Sequence, residues 1–272
     1  MARSLVSSAP GCSTMPSPPV VASQRIRPPS YEDGRGRRRT QSLRDEVQIT
    51  GMTFTDELFR AARPTWEAQL AHPFVKGIGD GSLDERLFKN WVFQDYRYLK
   101  EFARVFAWAA AKADSLTSMG WYAAALNLTL NTEMGLHRQY AARFGITAEE
   151  LETAPMWPTT RAYTDFLVRT AADGDMAELV AALLPCAWGY VYLAQHLTER
   201  DPPKDQRYAD WIAQYASDEF AEAAEWLKAE MDRLAQSTGA EKREKLIALF
   251  VLSSRYEWQF WEMCWTGEQR RV

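Results

Sequence analysis

Asp84-Glu85-Arg86-Leu87-Phe88-Lys89-Asn90-Trp91-Val92-Phe93-Gln94-Asp95-Tyr96-Arg97-Tyr98-Leu99-Lys100-Glu101-Phe102-Ala103-Arg104-Val105-Phe106 is the stretch that decides the fold. Phe88, Trp91, Val92, Tyr98, Leu99, Phe102, Val105 and Phe106 recur at three- and four-residue steps, so one face of a long helix is apolar. Asp84 stands where such a helix would begin. Asp95 lies on the apolar stripe, where an aspartate is costly unless it is paired.

The same pattern extends in both directions. Thr53-Phe54-Thr55-Asp56-Glu57 opens a first helix, and a loop with Gly77, Gly79 and Gly81 follows it. Downstream, helices fit Ser118 to Phe144, Arg161 to Asp173, Asp175 to Arg200, Tyr208 to Gln236 with a break near Ala216, and Glu241 to Gly267. Thr147-Ala148-Glu149-Glu150 reads as a capped helix start. Pro155, Pro158 and Pro202-Pro203 punctuate the connections. There is no sustained period-two alternation, no hairpin turn between β-branched runs and no internal repeat. The expected fold is all-α: one domain of amphipathic helices packed as a bundle.

The bulk properties narrow the class. At 272 residues the chain can bury a large core. Cys12, Cys186 and Cys264 are too few and too scattered for a disulfide framework or a zinc site, which favours a reducing compartment. A net charge of −4 gives no case for nucleic-acid binding. No uninterrupted apolar run reaches the roughly 18 residues that cross a bilayer. Residues 1–51 hold eight arginines, no lysine, four acids and six of the 13 prolines. That segment is expected to be a disordered N-terminal extension. It reads as translated upstream sequence before Met52, as a transit peptide or as a regulatory tail. The helical domain is expected over 52–272.

Several local patterns carry chemistry. Leu184-Pro185-Cys186-Ala187-Trp188-Gly189-Tyr190 places a proline inside a helix, at a cost of roughly 3 kcal/mol, beside a thiol. The helix is expected to bend or open there and present Cys186 to a cavity, with Tyr190 one turn on. The plain alternative is an inert core cysteine. Asp95 and Tyr98 share a face; Asp95 is either a site residue or a helix-edge aspartate with a neighbour. Tyr163 lies near a helix start, and Trp211 and Tyr215 lie one turn apart. Glu257 shares a face with Phe260 and Trp261, where desolvation would raise its pKa and suit it to general acid work. Otherwise it is a surface glutamate. Glu133 and His137, four apart, read as a helical ion pair or a structural hydrogen bond rather than as a metal site, because di-iron bundles use a Glu-x-x-His spacing. His72 reads as a loop or helix-end residue. No phosphate loop, nucleophile elbow or Cys-x-x-Cys pair is present.

Taken in order, these patterns resemble the TenA family, also called thiaminase II or aminopyrimidine aminohydrolase. The resemblance covers about residues 53–267. It rests on His72-Pro73-Phe74-Val75 with its glycine-rich sequel, Gln94-Asp95-Tyr96, Glu133 with His137, Ala162-Tyr163-Thr164, Leu184-Pro185-Cys186-Ala187-Trp188, Trp211-Ile212-Ala213-Gln214-Tyr215 and Glu257-Trp258-Gln259-Phe260-Trp261. The resemblance implies a heme-oxygenase-like helical bundle without heme, a homotetramer, and a cytoplasmic location unless residues 1–51 direct it to an organelle. It implies hydrolysis of 4-amino-5-aminomethyl-2-methylpyrimidine to the hydroxymethyl pyrimidine and ammonia in thiamin salvage, with thiamin cleavage as a secondary activity. By the same carry-over the chain is similar to the cysteine-containing branch. Cys186 is then the nucleophile, Glu257 the acid/base, Asp95 the anchor for the ring's amino group and nitrogen, Tyr98, Tyr163, Tyr190 and Tyr215 the pocket wall, and Phe260 the packing partner of the ring. The partner is a small pyrimidine or thiamin; no cofactor, metal, nucleic acid or membrane is implied.

Two positions depart from those assigned a role and bear on pocket size or helix bending: Arg97 beside Tyr98, and Gly189 in the cysteine helix. No histidine or lysine lies next to Cys186 in sequence to make it a thiolate. The rival readings are a non-catalytic aminopyrimidine-binding or regulatory protein of the same fold, and a heme-oxygenase-like metal oxidase, for which no converging ligand set can be assembled.

Overall fold

The computed structural model describes residues 52–268. The expected extension over 1–51 lies outside the described residues. Among the described residues eleven α-helices follow in order: α1 (Phe54–Ala71), α2 (Pro73–Asp80), α3 (Glu85–Lys112), α4 (Leu116–Leu128), α5 (Met134–Ala142), α6 (Ala148–Thr153), α7 (Pro158–Asp173), α8 (Met176–Thr198), α9 (Gln206–Tyr215), α10 (Asp218–Ala235) and α11 (Ala240–Thr266). A single π-helical turn, Thr129–Glu133, joins α4 to α5. Among the described residues there is no strand, so the all-α expectation holds.

Local chemistry sets most helix starts. Thr53 caps α1 in a reciprocal box with Asp56, and Thr147 caps α6 in the same way with Glu150. The Asp84 and Asp175 side chains accept backbone N–H groups at the starts of α3 and α8. The expected break near Ala216 separates α9 from α10, with Ser217 capping the latter.

Three expectations change. The glycine-rich stretch after His72 is helix α2, and only Gly81, at φ 77°, leaves the helical region and turns the chain. His72 ends α1 and starts α2: its Nδ1 accepts the Phe74 N–H, and its Nε2 meets Glu262 at 3.0 Å. The single helix expected over Ser118–Phe144 is instead α4, the π turn and α5. Finally, α8 passes through Pro185 without leaving helical geometry, so the disruption is one missing N–H bond to the Ala181 carbonyl rather than an opened turn.

The core helix is α8. It packs against α10 and α11, and α11 also covers α1; α3 packs against α4 and α7. By length and composition α8 qualifies as a membrane span, which the reading of uninterrupted apolar runs excluded. Its apolar window is 72% buried within the bundle, as befits a central helix of a packed core. Trp66, Trp91, Trp211 and Trp261 are fully buried around it.

Candidate active site

Five helices bring the predicted residues together. Asp95 and Tyr98 come from α3, Tyr163 from α7, Cys186 and Tyr190 from α8, Tyr215 from α9, and Glu257 and Phe260 from α11. Asp95, Tyr98, Tyr163, Tyr190, Glu257 and Phe260 are buried. The Cys186 thiol is desolvated, although the residue as a whole is only partly buried.

The aromatic side chains form two groups, one around Tyr98 and one around Tyr190. Tyr98 lies 5.2 Å from Tyr163 and 6.1 Å from Phe260 between ring centroids, and Tyr190 lies 4.8 Å from Tyr215. Trp91 Nε1 donates to the Tyr190 hydroxyl at 3.3 Å. Tyr163 is stacked on Tyr256 on its outer side, 5.2 Å away and 10° from parallel. The Tyr98 hydroxyl is buried without a hydrogen-bond partner and lies beside the Cys186 thiol. A buried unpaired hydroxyl is costly and marks a place where a ligand can complete the bonding.

Glu257 stands at the centre. Its Oε1 and the Tyr163 hydroxyl are hydrogen-bonded at 2.5 Å. Burial pushes its carboxyl up to about 7, although contacts with Tyr163 and Cys186 favour the charged form. Burial likewise raises Asp95 well above the usual carboxylate range, and the neighbouring Glu257 and Glu133 raise it further. Burial raises the Cys186 thiol, and Glu257, Asp95 and Glu133 add to the effect against the opposing Tyr98 contact. None of the groups acting most strongly on Cys186 is a lysine or arginine, and the shift favours the protonated thiol.

Glu133 and His137 do not pair. His137 Nε2 bonds the Val92 carbonyl at 2.9 Å, and its Nδ1 faces Asp95 Oδ2 at 3.5 Å. Burial depresses His137 to about 4. A carbonyl only accepts, so Nε2 carries the proton and Nδ1 presents its lone pair to Asp95. Of the two readings for this motif, the structural hydrogen bond is therefore the one realised, on α3 rather than within the helix. Glu133 projects from the π turn toward the same acidic cluster, and burial raises its carboxyl despite a hydrogen bond from Thr129. Among the described residues no three His, Cys, Asp or Glu side chains are grouped to hold a metal ion.

The two departures separate. Arg97 Nη1 donates to the Glu152 carbonyl of α6 and so is spent on helix packing. Gly189 is buried, but a Cβ there would meet nothing within 4 Å, so space is left beside α8. The residue that sequence reasoning passed over is Ser253. It lies one turn before Glu257 on α11, but its partners, the Ala182 carbonyl at 2.7 Å and Tyr163 at 3.2 Å, lie on other helices.

Known proteins share this frame. An aminopyrimidine aminohydrolase of Halalkalibacterium halodurans is 43% identical over 215 residues, which is 79% of this chain and 96% of the relative. Among solved structures, a TenA homologue from P. horikoshii superposes with a TM-score of 0.74 at 29% identity, covering 79% of this chain and all of the homologue. A protein from Shewanella denitrificans described as having a heme oxygenase-like fold matches with a TM-score of 0.62 over 81% of this chain and 94% of its own; at 14% identity it speaks for the fold alone. The TENA/THI-4/PQQC family model matches residues 59–267, and on that match and the 43% identical relative the chain belongs to this family.

Proposed function

We propose that the protein hydrolyses 4-amino-5-aminomethyl-2-methylpyrimidine to the hydroxymethyl pyrimidine and ammonia, as a salvage enzyme for the pyrimidine half of thiamin. The observation that carries this reading is the convergence of one thiol, one neutral carboxyl and a second buried carboxyl inside an aromatic cage. Near-complete alignment with an aminopyrimidine aminohydrolase supports the substrate class.

In this reading Asp95 anchors the amino group and adjacent ring nitrogen. Tyr98, Tyr163, Tyr190 and Tyr215 line the pocket, and Phe260 packs on the ring. Glu257 gives its proton to a ring nitrogen, which makes the ring electron-poor, and its carboxylate then takes the Cys186 proton. The thiolate adds to a ring carbon, forming a C–S bond. This order removes the need for a cation beside the cysteine, since the substrate takes the proton. Electrons returning from the ring expel ammonia from the exocyclic methylene. Water adds to that methylene, and loss of the thiol restores the aromatic ring. Thiamin cleavage follows the same course with the thiazole as leaving group and is the secondary activity. The working form is a cytoplasmic homotetramer. In support of assembly, α4 is apolar, but only Ser118 and Tyr122 on it are buried, and Leu116 is 86% exposed.

The test is release of ammonia from the aminomethyl pyrimidine, and of thiazole from thiamin, by wild type and Cys186→Ser. Fast turnover of the first, slower turnover of the second and loss of both in the variant are expected. Binding of either compound without turnover by the wild type would leave an aminopyrimidine-binding protein instead.

A further inference from the structure

Around Glu257 the donors and acceptors fix where each proton lies. Ser253, one turn before Glu257 on α11, reaches the Ala182 carbonyl of α8 at 2.7 Å. A carbonyl has no proton to give, so Ser253 spends its single proton there. Its oxygen lies 3.2 Å from the Tyr163 hydroxyl and can then only accept, so Tyr163 donates to Ser253. The 2.5 Å contact between Tyr163 and Glu257 Oε1 takes its proton from Tyr163 when Glu257 is ionised and from the glutamic acid when Glu257 is protonated, and only the protonated form leaves the Tyr163 proton free for Ser253. In the protonated form the chain runs head to tail: Glu257 to Tyr163 to Ser253 to the Ala182 carbonyl. Glu257, Tyr163 and Ser253 are all buried, and Tyr163 is gripped between Tyr98 and Tyr256, so the chain cannot easily rearrange its heavy atoms.

We infer that Ser253 is a positioning residue that holds Glu257 in its protonated form, by giving the Tyr163 proton a destination other than the carboxylate. The assignment of Glu257 as the acid is taken from the proposed function; the hydrogen-bond chain itself is independent of it. When Glu257 delivers its proton, Tyr163 turns its hydrogen to the new carboxylate and Ser253 turns its own to Tyr163. The Ala182 carbonyl loses only the serine contact. Ser253 is thus a two-position relay that serves the acid more than the anion, since it takes part in two bonds in the neutral state and one in the ionised state.

The two hydroxyl deletions then act in opposite directions. Without Ser253 the neutral state loses two bonds and the ionised state one, so the Glu257 midpoint falls. Without the Tyr163 hydroxyl the carboxylate loses its charge-assisted donor, so the midpoint rises. The other groups facing Glu257 are Cys186 and Tyr190 of α8 and Asp95 and Tyr98 of α3. None is cationic, and all remain in both variants.

The experiment is an infrared pH titration of the carboxylic-acid carbonyl stretch in the ligand-free protein, with the Glu257 band assigned by its absence in Glu257→Gln. Ser253→Ala is expected to move that band's midpoint down by about one pH unit, Tyr163→Phe to move it up, and Ser253→Thr to return it to the wild-type position. The alkaline limb of the kcat/KM profile for the aminomethyl pyrimidine should move with the band in each variant. A midpoint that is unchanged in Ser253→Ala, or that moves the same way in Ser253→Ala and Tyr163→Phe, overturns the inference. If Ser253→Ala does not fold, the Tyr163→Phe and Ser253→Thr titrations decide, and a fall of the midpoint in Tyr163→Phe or a displaced one in Ser253→Thr overturns it. Should the midpoints move as expected while no pyrimidine is turned over, the relay stands and the proposed function fails.

Discussion

Glu257 couples catalysis to stability through one proton. Its folded pKa, near 7, lies above the unfolded value near 4.5, so the folded state binds more protons between those values. Stability must then fall as pH rises through that window, and above it the buried charge costs on the order of 3 kcal/mol. Glu257→Gln should therefore raise the melting temperature relative to wild type at pH 8 and much less at pH 5, a comparison that calorimetry makes directly. The same proton governs rate: kcat/KM should decline above about pH 7 as the acid ionises. Cys186 belongs to the same account. Its raised pKa keeps the thiol protonated, so alkylation by iodoacetamide at neutral pH should be slower than that of free cysteine, and Cys186→Ser should lose about three orders of magnitude or more in kcat/KM. At this scale the types and positions of Cys186, Asp95, Tyr98 and Glu257 were legible, because thiols and carboxyls on apolar faces are conspicuous. Ser253 was not, since its meaning depends on a carbonyl 71 positions away.

Glycine makes the point for whole elements. Three closely spaced glycines suggested a loop where α2 stands. Gly81 turns the chain, but Gly77 and Gly79 lie within the helix and serve contact rather than flexibility: a Cβ on Gly77 would lie 3.1 Å from both the Leu83 N and Cα, where the chain folds back on itself. Gly77→Ala should cost about 1–3 kcal/mol in chemical denaturation, since backbone cannot yield. Gly189 has the opposite surroundings, with nothing within 4 Å of its missing Cβ. Gly189→Ala should stabilise α8 by up to about 1 kcal/mol in the same assay. The long helices were legible because a 3.6-residue period repeats for several turns. The π turn was not: an i→i+5 bond has no residue signature, so 118–144 read as one helix. Pro185 was legible as a disruption, but the packing of α8 at the centre of the bundle holds the helix together across it.

For the whole molecule, the order of the helices and the apolar faces gave the bundle. They could not say that α4 would be left largely uncovered, because a helix that is apolar all round looks like a core helix until its neighbours are known. Light scattering should find a tetramer, and Leu116→Asp combined with Met119→Asp should reduce the assembly without loss of helical circular dichroism if this face is part of the contact. How the helices cluster their charge was equally hidden. Asp95, Glu133 and Glu257 come from three separate segments, and only folding gathers them around Cys186, with His137, held neutral by burial, beside Asp95. Such a chamber discriminates by charge. An aminomethyl group enters as an ammonium and thiamin carries a thiazolium, whereas the alcohol that remains after hydrolysis is neutral. On the proposed function, the charged guest favours the ionised forms of these carboxyls and is held by them, the neutral pyrimidine lets their protons return, and the product leaves as the charge that held it is lost.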